Sequence, residues 1–276
     1  MTSGLPSGPG AAPAPAASAI VPVRPAELVE ALDAALREVG PGALVAFDAD
    51  GTLWSGDIGF DVFGALLEEH GVRAQAADAL GREASAAGIA VSGTPSDVAH
   101  ALRDAWQSGR YAEPRAFAMM AWAFAGWRVA EVDAFAVRVF ERTGLSARVH
   151  ASLREVFAWV ERTGVDTLVV SASPELVVRA ALRHLALPLT HVVAMAPRID
   201  GGVLQPDLAA PPVYGPGKVD AIERVRPGAA LLAAFGDSGY DAAMLRVARV
   251  RVAVAPKPAL LEAAKSLGTV FVLGAS

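Results

Sequence analysis

A short apolar run, Ala43-Leu44-Val45-Ala46-Phe47, passes directly into Asp48-Ala49-Asp50-Gly51-Thr52, and this junction constrains the chain more than any other segment. Five apolar residues without interruption predict a strand covered on both faces, as in parallel sheets flanked by helices. Residues two apart on an extended segment point the same way. Both carboxylates are therefore expected to project beyond the strand's carboxyl end, into the crevice where open α/β sheets bind ligands. Two acids aimed at one point repel unless a cation lies between them or one keeps a proton. An ordinary strand-to-loop turn uses the same residue types, so the junction alone leaves both readings open.

The rest of the sequence repeats this rhythm. Strand-like runs recur at Thr167–Val170, His191–Ala196, Ala230–Phe235 and Arg249–Ala255, with an edge strand expected at Thr269–Leu273. Helical periodicity separates them at Val149–Arg162, Pro174–His184, Gly217–Val225, Tyr240–Ala248 and Pro258–Ser266, and precedes the first at Pro25–Val39. Strands alternating with helices of about 10–15 residues predict an α/β fold with a parallel sheet between two helical layers. The interval 60–145 breaks the pattern, with helical stretches at Phe60–His70, Pro95–Ser108 and Val129–Arg142 and no convincing strand. A helical insertion after the first strand is expected there, flanked by core segments at 24–59 and 146–276. Residues 1–23 are rich in Ala, Pro, Gly and Ser and carry no charge; such a segment reads as a disordered tail. Prolines 6, 9, 13 and 15 interrupt any signal-peptide centre, which favours a cytoplasmic protein.

Composition narrows the partners. A net charge of −5, with no cluster of basic residues, argues against nucleic acid. No uncharged apolar run reaches the roughly 18 residues of a membrane helix, so a soluble protein without a membrane partner is expected. The absence of cysteine removes thiolate catalysis and Cys-ligated metals. Of 24 basic residues only Lys218, Lys257 and Lys265 are lysines, so each lysine is informative.

Three further segments lie where chemistry is expected. Gly236-Asp237-Ser238-Gly239-Tyr240-Asp241 follows a strand and opens a helix; its acids suit a helix start, and equally supply the hard oxygen ligands that magnesium prefers. Ser171 ends the second strand, followed by Ala172, while Ser173-Pro174-Glu175 reads as a helix N-cap with proline at the first helical position. Hydroxyl and amide groups at such a tip donate to phosphate oxygens. Lys218, after Gly215-Pro216-Gly217, places a compact point charge where a planar arginine fork would serve differently.

Taken together, these four segments resemble the haloacid dehalogenase-like hydrolase superfamily, and the closing stretch Arg251–Leu260 with the Asp200-Gly201-Gly202 hairpin signal resembles its phosphoserine phosphatase-like subgroup. The resemblance implies a Rossmann-like core with a helical cap. It implies that Asp48 is the nucleophile, Asp50 the general acid/base, Ser171 and Lys218 the phosphate-binding pair, and Asp237 with Asp241 the acidic fourth motif. It further implies magnesium held by Asp48, Asp237 and the main-chain carbonyl of Asp50. The expected activity is magnesium-dependent hydrolysis of a small phosphomonoester through an aspartyl phosphate on Asp48. A phosphotransferase with an organic hydroxyl acceptor is the alternative. The second acid, Asp50, disfavours dehalogenation, because halide departure needs no proton.

Substrate choice is expected to come from the cap. In phosphoserine phosphatases an acid nine residues after the nucleophile binds the substrate amine. Here that position is Asp57, an Asp where the subgroup carries Glu. Trp54, Trp106, Trp122 and Trp127 are candidates to face a quaternary ammonium, although aromatic residues serve packing more often. Arg82, Arg103, Arg110 and Arg115 are candidates to clamp a carboxylate.

Overall fold

The computed structural model describes residues 19–189 and 191–274. Its centre is a seven-stranded sheet of β1 (Ala19–Pro22), β2 (Ala43–Phe47), β3 (Asp166–Pro174), β4 (His191–Met195), β7 (Ala230–Gly236), β8 (Val250–Val254) and β9 (Thr269–Leu273), while β5 (Pro197–Asp200) and β6 (Val203–Leu208) form a separate antiparallel hairpin. The large sheet has the order β1-β9-β8-β7-β2-β3-β4, and every pairing in it is parallel. From β2 the chain builds outward through β3 and β4, then crosses back to β7 and builds the other way. The switch point therefore lies between β2 and β7, whose carboxyl ends carry Asp48 and Asp237.

Buried residues of β2 alternate between two cores. Val45 and Phe47 join one face with Leu28 and Leu32, whereas Leu44 and Ala46 join the other with Ile222 and Met244. Phe47 stacks on Phe235 of β7 at 4.5 Å between ring centroids. Helix α1 (Pro25–Val39) forms because Pro25 starts it, Glu27 receives the Arg24 amide, and Gly40 ends it at φ 74°. Its fully buried Leu28 and Leu32 each contribute about 2 kcal/mol of burial.

The interval after β2 holds α2 (Ile58–Glu68), α3 (Ala77–Ala86), α4 (Pro95–Gln107), α5 (Glu113–Trp122) and α6 (Val129–Thr143), with no strand among the described residues. The core resumes with α7 (Arg154–Thr163), α8 (Glu175–His184), α9 (Gly217–Val225), α10 (Ala242–Val247) and α11 (Pro258–Ala264).

Three expectations require correction. The Ala/Pro-rich tail is not wholly disordered: Ala19–Pro22 pairs with β9, and Val23 donates to the Val272 carbonyl at 3.0 Å. The remainder of that segment, residues 1–18, lies outside the described residues. Because β1 covers it, Thr269–Leu273 is an inner strand rather than an edge. Ser173 is not an N-cap, since β3 continues to Pro174 and α8 begins at Glu175. A strand added from outside the periodic region and a side chain drawn to a distant acid are both tertiary effects.

Candidate active site

The carboxyl ends of β2, β3 and β7 and the start of α9 converge on one cavity of about 140 Å³, lined by Asp48, Asp50, Ser171, Lys218, Asp237 and Asp57 among others. Each strand delivers its residue for a local reason. After β2 the chain turns sharply, with Leu53 N–H donating to the Ala49 carbonyl at 2.8 Å and Gly51 at φ 84°. A Cβ built on Gly51 would lie 2.0 Å from Asp237 Oδ2, so only glycine lets the β2 and β7 ends approach this closely. Gly236 plays the same part beneath Asp241, whose Cβ stands 2.4 Å from where a Gly236 side chain would begin.

Lys218 lies at the centre of the buried charges. Its Nζ donates to Asp48 Oδ1 at 2.6 Å and to Asp241 Oδ1 at 2.6 Å. Thr52 Oγ1 donates to Asp48 Oδ2 at 3.0 Å. Asp241 spends its second oxygen on the Asp237 amide, the Ser238 amide and the Ser238 hydroxyl, at 2.9–3.1 Å. The exposed Lys257 ammonium reaches Asp237 Oδ2 at 2.7 Å. Burial, reinforced by Asp241, pushes the Asp48 carboxyl up to about 8 against the pull of Lys218. Burial alone would lower the Lys218 ammonium, but Asp241 and Asp48 outweigh it and raise its pKa. The lysine therefore stays charged. Burial also raises Asp237, with Lys257 opposing.

Carboxylate oxygens of Asp48, Asp237 and Asp241 lie within 4.8 Å of one another. Three acids gathered beside a single buried lysine form a set of hard donors with negative charge to spare, which fits magnesium. The Asp50 carboxylate is not part of that cluster. It is held away by three donors, Ser173 Oγ at 2.6 Å, Trp54 Nε1 at 2.8 Å and the Ile58 amide at 2.8 Å. Burial raises its pKa, and these three bonds oppose the rise.

The structure thus brings together Asp48, Asp50, Asp57, Ser171, Ala172, Lys218 and Asp237 around one cavity, with Asp241 directly behind. Ser171 Oγ accepts from the Ser173 amide at 3.0 Å. Asp57 caps α2, one oxygen accepting from the Phe60 amide at 2.8 Å; burial, then Asp50, drives its pKa well up. None of the four candidate tryptophans or four candidate arginines lines the cavity. Trp54 instead orients Asp50, and Arg115 pairs with Glu83. Sequence reasoning missed Lys257, Glu113, Phe60, Phe117, Tyr214 and Tyr240, all of which line the cavity. The scarcity of lysine was the one signal that pointed to Lys257. The others carry no local mark that separates them from packing residues.

A family model described as haloacid dehalogenase-like hydrolase matches residues 45–246, which span β2 through α10. The chain belongs to that family. It is accordingly an enzyme of the hydrolase class. Among solved structures it is similar to a protein of unknown function from Bordetella pertussis Tohama I, at 20 % identity and TM-score 0.64, over 84 % of this chain and 98 % of that one. It is similar to a probable phosphoserine phosphatase from Vibrio cholerae, at 15 % identity and TM-score 0.53, over 85 % and 63 %. It also resembles a cytosolic 5′-nucleotidase IIIB bound to cytidine, at 16 % identity and TM-score 0.51, over 91 % and 86 %. At these identities the likeness is one of fold. No curated protein matches the sequence. No helix of the described residues is long and apolar enough to cross a membrane.

Proposed function

We propose that this hydrolase is a magnesium-dependent phosphatase that cleaves a small phosphomonoester through a phosphoryl group carried on Asp48. The observation that carries the reading is the convergence of Asp48, Asp50, Ser171 and Lys218 on one cavity at the topological switch point.

Asp48 attacks phosphorus with one carboxylate oxygen. The bond to the leaving oxygen breaks, and an acyl phosphate forms. Asp50, half-buried and biased toward its protonated form, gives its proton to the departing oxygen; the resulting carboxylate then takes a proton from the water that cleaves the acyl phosphate. Ser173, Trp54 and the Ile58 amide hold that carboxyl in place through both steps and stabilise it once ionised. Lys218, tied to Asp48, meets the phosphate oxygens with fixed positive charge, and Ser171 with the Ala172 amide offers neutral donors. Asp48 and Asp237 with the main-chain carbonyl of Asp50 would hold magnesium, Asp241 supporting the loop from behind. Bound there, the cation cancels repulsion between the phosphate dianion and the carboxylates. Residues 60–145 serve as the substrate-selecting cap, and Asp57, which caps α2 just ahead of it, lines the cavity on the leaving-group side.

The direct test is phosphate release from a panel of phosphomonoesters, 4-nitrophenyl phosphate included, with magnesium present. Release in the wild type and its loss in Asp48→Asn is the expected result. A panel that yields no phosphate from any ester overturns the reading.

A further inference from the structure

The cap side of the cavity is built unlike its phosphate side. Four rings run around it in sequence: Phe60 from α2, Phe117 from α5, Tyr214 from the loop before α9, and Tyr240 from the turn that carries Asp237 and Asp241. Phe60 and Phe117 are 5.6 Å apart between centroids, Phe117 and Tyr214 5.9 Å, Tyr214 and Tyr240 4.6 Å. At the end of this arc, Tyr240 Oη donates to Glu113 Oε2 at 2.7 Å, joining the first residue of α5 to the core. Apart from Asp50, which Ser173, Trp54 and Ile58 hold, Glu113 and Asp57 are thus the charged groups of the wall that lie outside the clusters around Lys218 and Lys257.

No arginine lines the cavity among the described residues. Its two lysines are already committed to carboxylates, Lys218 to Asp48 and Asp241, Lys257 to Asp237. A leaving group bearing a carboxylate would meet Glu113 and Asp57 with only Lys257, drawn toward Asp237, to answer it, and like charges in a partly desolvated cavity repel strongly. A cationic leaving group meets the reverse: aromatic rings, whose π-systems attract cations, with the acids Glu113 and Asp57 in the same wall.

We propose that the substrate is the phosphomonoester of a small amino alcohol without a carboxylate, its ammonium recognised by Glu113 together with the rings of Tyr214, Tyr240 and Phe117. This rests on the phosphatase reading above and adds the class of leaving group to it. Of the two classes that the Asp57 position left open, a phosphoserine-like substrate is thereby disfavoured against another amine-bearing one, and the aromatic contribution comes from tyrosine and phenylalanine rather than from tryptophan.

The experiment compares kcat/KM for 2-aminoethyl phosphate, its neutral counterpart propyl phosphate, O-phosphoserine and 4-nitrophenyl phosphate in the wild type and in Glu113→Gln. The amine should exceed propyl phosphate by about tenfold or more, the factor that ~1.4 kcal/mol of recognition represents. O-phosphoserine should fall below the amine by at least as much. Glu113→Gln should lower the amine-to-propyl ratio several-fold, a quantity that is independent of the fraction of active protein. Hydrolysis of propyl or 4-nitrophenyl phosphate with no preference for the amine overturns this inference and leaves the phosphatase reading standing. A preference for O-phosphoserine overturns it equally. Absence of hydrolysis for all four esters removes both. Should Glu113→Gln fail to fold, the wild-type ratios decide by themselves.

Discussion

Ser173 Oγ stands 2.6 Å from Asp50 Oδ2, although 123 positions separate the two residues in the chain. The bond fixes one oxygen of a carboxyl whose other oxygen already accepts from Trp54 and Ile58. Ser173→Ala removes a donor without adding bulk. We expect kcat to fall about 3–30-fold with KM little changed, since a bond that places a proton donor acts in the chemical step rather than in substrate binding. Steady-state kinetics check this; a loss confined to KM would assign Ser173 to binding.

Asp48→Asn should abolish turnover, with less than a few per cent of wild-type phosphate release. Its stability should carry a second signature. In the wild type the folded-state pKa of Asp48 is raised to about 8, so its carboxyl favours folding most below the unfolded-state value and progressively less as pH rises through about 8. Asparagine has no proton to lose. In chelator, the stability of the variant relative to wild type should therefore climb as pH rises from about 4 to about 8. Urea unfolding at several pH values measures it, and a difference that stays flat with pH contradicts the assigned shift.

Asp50→Asn should divide substrates by leaving group. An alkyl phosphate, whose alkoxide departs badly without a proton, should lose about 10²-fold or more. With 4-nitrophenyl phosphate the first step needs the acid much less, yet water activation still suffers. Pre-steady-state measurement should show a burst of nitrophenol followed by slow turnover. Equal losses on both esters without a burst would leave Asp50 only a structural part.

Lys218→Met leaves Asp48 and Asp241 buried without their shared ammonium. Removing one partner from a buried charge cluster costs about 3–5 kcal/mol, and the urea midpoint should fall accordingly with an unchanged slope. A loss below about 1 kcal/mol would mean that the acids bind protons as readily as they bind the lysine.

Chelation of magnesium should eliminate phosphate release, and calcium should restore it poorly, because its longer and more flexible coordination misplaces the attacking carboxylate. Undiminished release in excess chelator refutes the metal requirement.

The sequence by itself determined six of the seven strands of the sheet and the acidic face of the site. Continuous apolar runs ending in Asp48, Ser171 and Asp237 are local patterns, and the right-handed rhythm of strand and helix leaves few places for those ends other than one edge of a parallel sheet. Lys218 was legible because a lone lysine after a glycine turn is unusual in an arginine-rich chain. Tertiary structure decided everything that depends on contact between distant segments. Ala19–Pro22 has no pattern of its own and becomes a strand only because β9 presents an unpaired edge to it. Ser173 abandons a cap because Asp50, from the turn after β2, presents a stronger acceptor. The aromatic wall of the cavity joins Phe60, Glu113, Phe117, Tyr214 and Tyr240 from four separate stretches of chain, none of which carries a periodicity that distinguishes a cavity lining from packing. Strand ends obey local chemistry, whereas the aromatic wall of the cavity exists only once the helical insertion and the core have packed together.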